Sequence, residues 1–399
     1  MVFLSLWNMP TGGVGVESSL NHSVAEEQWD RIAETLRFNG GVATVDFLPQ
    51  EIMELHANSF AMARRGLDAA ARALSSPDEE NLCRMIGPNE DSAHATGYHK
   101  AGSDGSSMSR YNSHREGFVF SDGNLFNVGD ITSSSQKEGE AATSFQTQME
   151  DLFTSMHDGI AINVLRAIAR NLGLERDQCN WFQSIMGPTN KSSQWHIKRY
   201  VSPTTAEIMA SRKQTQTCEE KTNDKGDNGS SKELFTWLPV HTDPSLISIV
   251  LHDVPGKNEN AMGLQYQAPV KSPHAAISKE SKASKAVMEA RTKWTWKEVE
   301  FHGHAVATVF VGSVLSYITG GLFPGAKHRV VYLPCSSAQE NPERVAATLF
   351  VRPRGDAILA VPPSPLLIER DTIIKRNTTF NAWLSRVSRN YMKRKKEVK

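Results

Sequence analysis

Hydrophobic and polar positions change rhythm twice along this chain. Residues 24–37 (VAEEQWDRIAETLR) place apolar residues at helical spacing and stop before Gly40-Gly41, which predicts a helix closed by glycine. Val42-Ala-Thr-Val-Asp-Phe47 then alternates as a strand does, and a second helix follows through about residue 75. Residues 95–130 are rich in Gly, Ser and Asp and predict loops around short strands, among them Arg115-Glu-Gly-Phe-Val-Phe120. Leu152, Met156, Ile160, Val164, Ile168 and Leu172 recur every four residues, so one long amphipathic helix is expected, broken at Gly173.

From about residue 180 onward the pattern becomes short β-like runs between turns, the rhythm of an antiparallel barrel or jelly roll. The expected class is therefore α+β. A double-stranded β-helix (jelly roll) core would carry an N-terminal helical region packed against it. The boundaries expected are 1–180 for the helical region with short strands, 181–360 for the jelly roll, and 361–399 for a C-terminal helical tail. Two polar stretches, near 205–233 and 269–293, interrupt the β pattern and look like surface insertions. The basic end Met392-Lys-Arg-Lys-Lys-Glu-Val-Lys399 reads as a solvated helix terminus, and no internal repeat is present.

Composition narrows the partner. At 399 residues with 39% hydrophobic content the chain can bury a sizeable core. Lys plus Arg and Asp plus Glu both number 44, so no global field draws it to nucleic acid or to an anionic membrane, and a small neutral or anionic ligand is the expected partner. Cys83, Cys179, Cys218 and Cys335 lack any C-x-x-C spacing, which argues against a disulfide framework and a Cys-rich zinc site and fits a reducing, cytoplasmic compartment. Met1-Val-Phe-Leu-Ser-Leu-Trp7 is apolar but lacks a basic flank and reads as mature chain. No run approaches the roughly 20 apolar residues of a membrane span, and a monomer is expected.

The chemistry concentrates in Leu238-Pro-Val-His-Thr-Asp-Pro-Ser-Leu-Ile-Ser-Ile-Val-Leu-His-Asp253. On a strand, residues i and i+2 share a face, so His241 and Asp243 can hold one ion while Thr242 turns away. Leu246, Ile247, Ile249, Val250 and Leu251 supply a rigid buried strand behind them. A third ligand can come from His328 in Gly325-Ala-Lys-His-Arg-Val-Val-Tyr332. Two imidazoles and one carboxylate on one face of an octahedral ion form the facial triad of non-haem Fe(II) oxygenases, whose open positions take co-substrate and O2. An H-x-D pair also arises by chance, and a lone His is commonly a structural residue. A zinc-binding, cupin-like arrangement that adds His302 and His304, or a non-catalytic metal-binding scaffold, uses the same residues.

The order of motifs discriminates among these. Gly40-Gly-Val-Ala-Thr-Val-Asp-Phe47, Ala95-Thr-Gly-Tyr98, Glu116-Gly-Phe118, His241-Thr-Asp-Pro-Ser-Leu-Ile, Gly263-Leu-Gln265, Trp296, Val311-Gly312, Gly320-Gly321 and His328-Arg-Val run in sequence along most of the chain. In this order the chain resembles the isopenicillin N synthase-like branch of the Fe(II)/2-oxoglutarate dioxygenases. The resemblance implies Fe(II), 2-oxoglutarate and O2, with ascorbate as a reductant. It implies oxidation of an unactivated C–H bond of a small molecule by hydroxylation, desaturation or oxidative cyclisation, in secondary metabolism.

Family members bind the distal carboxylate of 2-oxoglutarate with the Arg of an Arg-x-Ser strand. Glu343-Arg-Val-Ala-Ala-Thr-Leu-Phe-Val-Arg-Pro353 looks like that strand and gives the role to Arg344, with Arg329 and Arg352 as competitors. Three departures stand out. Ala346 replaces the serine, Cys335-Ser-Ser-Ala-Gln-Glu-Asn-Pro342 lengthens the interval from His328, and the family's Asn-x-Tyr appears as Lys198-Arg199-Tyr200. Tyr200 and Lys198 are the further co-substrate contacts implied. The missing serine leaves an Fe(II) oxidase of the same fold without 2-oxoglutarate as the alternative. Arg110, Tyr111, Arg115 and Lys198 are the substrate candidates, and they suit an amino-acid-like or carboxylated molecule such as a kainoid precursor.

Overall fold

A computed structural model of the chain describes residues 17–48, 50–73, 97–99, 114–121, 145–186, 193–204, 206, 209, 235–253, 263–270, 293–299, 307–332, 344–368 and 377–397. Arg110, Tyr111, His302, His304, the opening Met1–Trp7 and nearly all of the two polar insertions lie outside these residues.

Helix α1 (Glu17–Phe38) buries Ala33 and Leu36, and the chain then turns through Gly40 and Gly41 at φ of 67° and 81° into β1 (Val42–Val45). Those left-handed conformations are open to glycine at little cost, which is why the helix stops there. Helix α2 (Gln50–Ala73) follows, and β2 (Gly97–His99) and β3 (Arg115–Ser121) come next.

The long helix expected from the six-residue stripe is present in three pieces. They are α3 (Phe145–Met156), a π-helical turn (His157–Ala161) and α4 (Ile162–Asn171). All six stripe residues are buried. A strict period of four overshoots the 3.6-residue turn by about 40° per step, so an unbroken α-helix would rotate the stripe away from the core. The wider π turn takes up part of that drift, at the point where Gly159 lowers helix propensity and its carbonyl accepts Asn163 Nδ2 at 2.9 Å. Helix α4 closes with Gly173 at φ 72°, Leu174 N donating to Ala169 O and Gly173 N to Arg170 O, a Schellman motif. A short helix α5 (Trp181–Met186) leads into the main β region.

Eight further strands follow: β4 (Gln194–Tyr200), β5 (Thr236–His241), β6 (Ile247–His252), β7 (Leu264–Pro269), β8 (Trp294–Glu298), β9 (Ala307–Val311), β10 (His328–Val331) and β11 (Arg344–Val351). Two antiparallel sheets result, ordered β1-β9-β6-β11-β4-β3-β2 and β5-β10-β7-β8, consistent with a double-stranded β-helix. The residues before 181 thus supply three strands of the larger sheet as well as helices. Its outer face, with Leu251, Val309 and Leu349, joins the apolar cluster containing Leu36, Val164 and Ile168 of α1 and α4. Its inner face, with Val250, Phe310 and Ala346, packs on Trp237, Leu264 and Val330 of the smaller sheet. Helix α6 (Ser313–Ile318) follows β9, and α7 (Phe380–Glu397) follows β11. No helix among the described residues is long and apolar enough to cross a membrane.

Candidate metal centre

Strand pairing places the two histidines. His241 ends β5, His328 begins β10, and the antiparallel register makes them Cα partners with ring centroids 4.2 Å apart. Each ring is oriented from behind. His241 Nδ1 lies 2.8 Å from Pro239 O and His328 Nδ1 lies 3.1 Å from Ala326 O. A carbonyl can only accept, so each Nδ1 carries the proton and each Nε2 presents a free lone pair. Phe310 stacks on the His328 ring at 4.5 Å and fixes its plane.

Asp243 reaches the histidines differently from the sequence expectation of a shared strand. Strand β5 ends at His241, and Asp243 stands in the turn before β6. Its backbone carbonyl accepts Ser313 N at 2.7 Å and Ser313 Oγ at 3.0 Å, which ties the turn to the start of α6. The carboxylate places Oδ1 3.5 Å from His241 Nε2 and Oδ2 3.7 Å from His328 Nε2. All three donor sets fall within 4.8 Å of one another. Two donors that each bind an ion at about 2.1 Å can stand up to about 4.2 Å apart, so both carboxylate–imidazole distances fit a single shared ion.

Electrostatics prepare the same arrangement. Burial pushes the Asp243 carboxyl up, but the neighbouring His328 and His241 and a bond from Ser248 outweigh it and hold the group below the usual carboxylate range. Burial and the nearby His241 push the His328 imidazole down to about 4, so it is neutral at pH 7. A neutral His328 contributes little charge to Asp243, and an Nε2 lone pair cannot donate to a carboxylate, which leaves the hydrogen bond from Ser248 as the firmer cause. An ionised carboxylate beside an unprotonated nitrogen is a ligand set ready for a divalent ion.

No family model matches the chain, and no curated protein matches it by sequence. Solved structures do match. A 2OG-Fe(II) oxygenase family protein from Caulobacter crescentus superposes with TM-score 0.55 at 15% identity, covering 94% of this chain and 97% of that chain. A Neurospora crassa protein crystallised with alpha-KG and 5-formyluracil gives TM-score 0.55 at 16% identity over 91% of this chain and 90% of its own. The protein JOX2, in complex with 2OG, Fe and JA, gives TM-score 0.54 at 15% identity over 91% of this chain and 82% of its own. The chain has the fold of a 2OG-Fe(II) oxygenase.

Within that oxygenase fold the arginine candidates separate. Arg344 is 3% exposed, lies 4.5 Å over the Tyr200 ring, and has Nε and Nη1 buried without a hydrogen-bond partner. Arg329 packs over Trp296 at 4.1 Å and donates to Gln265 on the opposite face of β10 from His328, so it does not share the interior. Arg352, one residue beyond β11, is 5% exposed and also has Nε and Nη1 buried without a hydrogen-bond partner among the described residues. Tyr200 is the Cα partner of both Arg344 and Arg115, and Lys198 is the partner of Ala346 and Gly117, so these side chains line one row-by-row inner surface.

Reading the sequence singled out neither His196 nor Phe310. His196 meets Phe350 at 4.6 Å inside the barrel, and the alternation of Gln194, His196, Lys198 and Tyr200 against Trp195, Ile197 and Arg199 is the signal that marks it.

Proposed function

We propose that the protein is an Fe(II)- and 2-oxoglutarate-dependent dioxygenase that oxidises an unactivated C–H bond of a small molecule. One observation carries the reading. Two imidazoles and a carboxylate converge beside the barrel interior, where a guanidinium lies buried with no carboxylate to meet it among the described residues. His241, Asp243 and His328 would hold the iron. Arg344 would bind the distal carboxylate of 2-oxoglutarate, with Tyr200 supporting its guanidinium from below.

Bound iron with 2-oxoglutarate and O2 supplies the oxidant: 2-oxoglutarate, O2 and a C–H bond become succinate, CO2 and a C–OH group. The chain's residues provide the rest. The Nδ1 bonds to Pro239 and Ala326 keep both Nε2 atoms aimed at one point, and Phe310 prevents His328 from turning. The apolar inner surface of Val250, Phe310 and Ala346 keeps water from the reacting centre. His241 is the more exposed histidine, which leaves the approach to the metal on its side.

Ala346 provides no hydroxyl, so an iron oxidase without 2-oxoglutarate is the reading to test against. Anaerobic addition of Fe(II) and 2-oxoglutarate should produce the weak visible charge-transfer band of the chelate. A product screen for succinate, with mass analysis for added oxygen or lost hydrogen, identifies the reaction outcome. No band, with activity that persists without 2-oxoglutarate, refutes the proposal. A kainoid precursor has no residue selecting it among those described.

A further inference from the structure

The barrel interior holds further cations besides Arg344. Lys198 is 8% exposed and makes no hydrogen bond or ion pair among the described residues. Its stem crosses Gly117, where a Cβ would come within 2.7 Å of Lys198 Cδ. Arg352 is held through its N–H, which donates to Ser193 Oγ at 3.1 Å, and its guanidinium lies 5.7 Å from the Phe350 ring with Nε and Nη1 unsatisfied. Buried charges without partners are costly, and a protein keeps them where a ligand completes them.

These groups form a set apart from Arg344. Lys198, Arg352, Arg115 and His99 all bear on His196, and Arg115 bears on Lys198. Asp243 also bears on the Arg352 guanidinium. Arg344 stands at the opposite end of β11 from Arg352, over the Tyr200 ring, and bears on His252. Burial and the cations push the His196 imidazole well down, so it stays neutral and can donate to an oxygen. One dianionic co-substrate satisfies Arg344 and leaves Lys198 and Arg352 without an anionic partner among the described residues.

We propose that Lys198 and Arg352, on the same inner face as His196, receive a carboxylate of the substrate, so that the molecule oxidised is a small organic acid held by its acid group inside the barrel. The inference rests on the oxygenase reading above for the word substrate, while the anion site itself rests on the interior geometry.

The test is calorimetric. The full chain, loaded with Mn(II) as a redox-silent ion and with 2-oxoglutarate, is titrated with short-chain, branched and aromatic monocarboxylic acids, each paired with its primary amide. At least one acid should bind at least about tenfold more tightly than its amide, a difference of about 1.4 kcal/mol. Lys198→Met and Arg352→Met should each abolish that preference while the 2-oxoglutarate titration moves by less than about twofold. Equal binding of acids and amides, or no acid bound by the wild-type chain, overturns the proposal. Loss of 2-oxoglutarate rather than of the acid in these variants also overturns it, and would assign the set to the co-substrate. Should Arg352→Met fail to fold, Lys198→Met on the neighbouring strand and the charge-keeping Arg352→Lys carry the decision. Repeating the titration on metal-free protein separates the two readings: acid preference kept there, with no iron–2-oxoglutarate chelate in the wild type, refutes the oxygenase reading alone.

Discussion

Replacing Arg344 with Met should separate folding from binding in opposite directions. The guanidinium is buried over Tyr200 and has Nε and Nη1 without partners, so the ligand-free chain bears an uncompensated charge. Such a charge costs several kcal/mol, partly offset here by about 1–2 kcal/mol from the aromatic ring beneath it. Methionine keeps the apolar contact and removes the charge, so the unfolding free energy should hold or rise by up to about 2 kcal/mol. Binding goes the other way. Two charge-assisted hydrogen bonds to a carboxylate contribute about 1.5 kcal/mol or more each, so their loss should raise the Kd for 2-oxoglutarate by at least about 150-fold. Urea unfolding of the ligand-free chain gives the first quantity, and anaerobic titration of the chelate band gives the second. A Kd within about threefold of wild type would refute the assignment of Arg344. Destabilisation beyond about 2 kcal/mol would refute the claim that it lacks an anionic partner in the ligand-free chain.

Other perturbations test the metal centre and its supports. His241→Ala and His328→Ala should each abolish stoichiometric iron, read by metal analysis after dialysis, and iron retained by both would exclude the triad. Phe310→Ala removes the ring stacked on His328 and should cost about 3–5 kcal/mol of stability, with weaker metal affinity at equal folded fraction. Gly312→Ala would drive a Cβ into the Ser245 backbone carbonyl, two residues from Asp243, so it should both destabilise and loosen metal binding, seen by thermal melts with and without Mn(II). Ile160→Ala, in the π turn, should cost about 2–5 kcal/mol and leave metal stoichiometry intact, since its contacts lie on the far side of the large sheet.

Local pattern revealed a good part of this molecule. The four-residue stripe from Leu152 to Leu172 marked the buried helical face because side-chain burial follows spacing directly, whatever the hydrogen-bond pattern. The same spacing concealed the π turn, because a period of four looks like a helix when only sequence is inspected. His241, Asp243 and His328 stood out by residue type and order. Asp243's position off the strand did not, because it depends on Ser313 capturing its carbonyl from α6, a contact between residues far apart in the chain. Arg352 was visible only as a rival to Arg344. Its separate environment follows from the pairing of β11 with β4 and β6, and no local motif encodes that register.

The order of the large sheet also governs how the chain must fold. Both edges come from early sequence, β1 at one side and the β2–β3 pair at the other, while the strands that join them to the sheet, β9 and β4, follow later. Strand β1 waits for β9, whose Ala307 pairs with Val45. During synthesis at about 5–20 residues per second, β1 therefore spends on the order of 13–50 s without its partner. Such long-range pairing makes closure slow and leaves an apolar strand edge exposed meanwhile. Helix α1 offers interim cover, since it packs on β1 and both emerge together. Expression yield should thus depend on temperature and chaperone supply more steeply than the stability of the finished barrel would suggest.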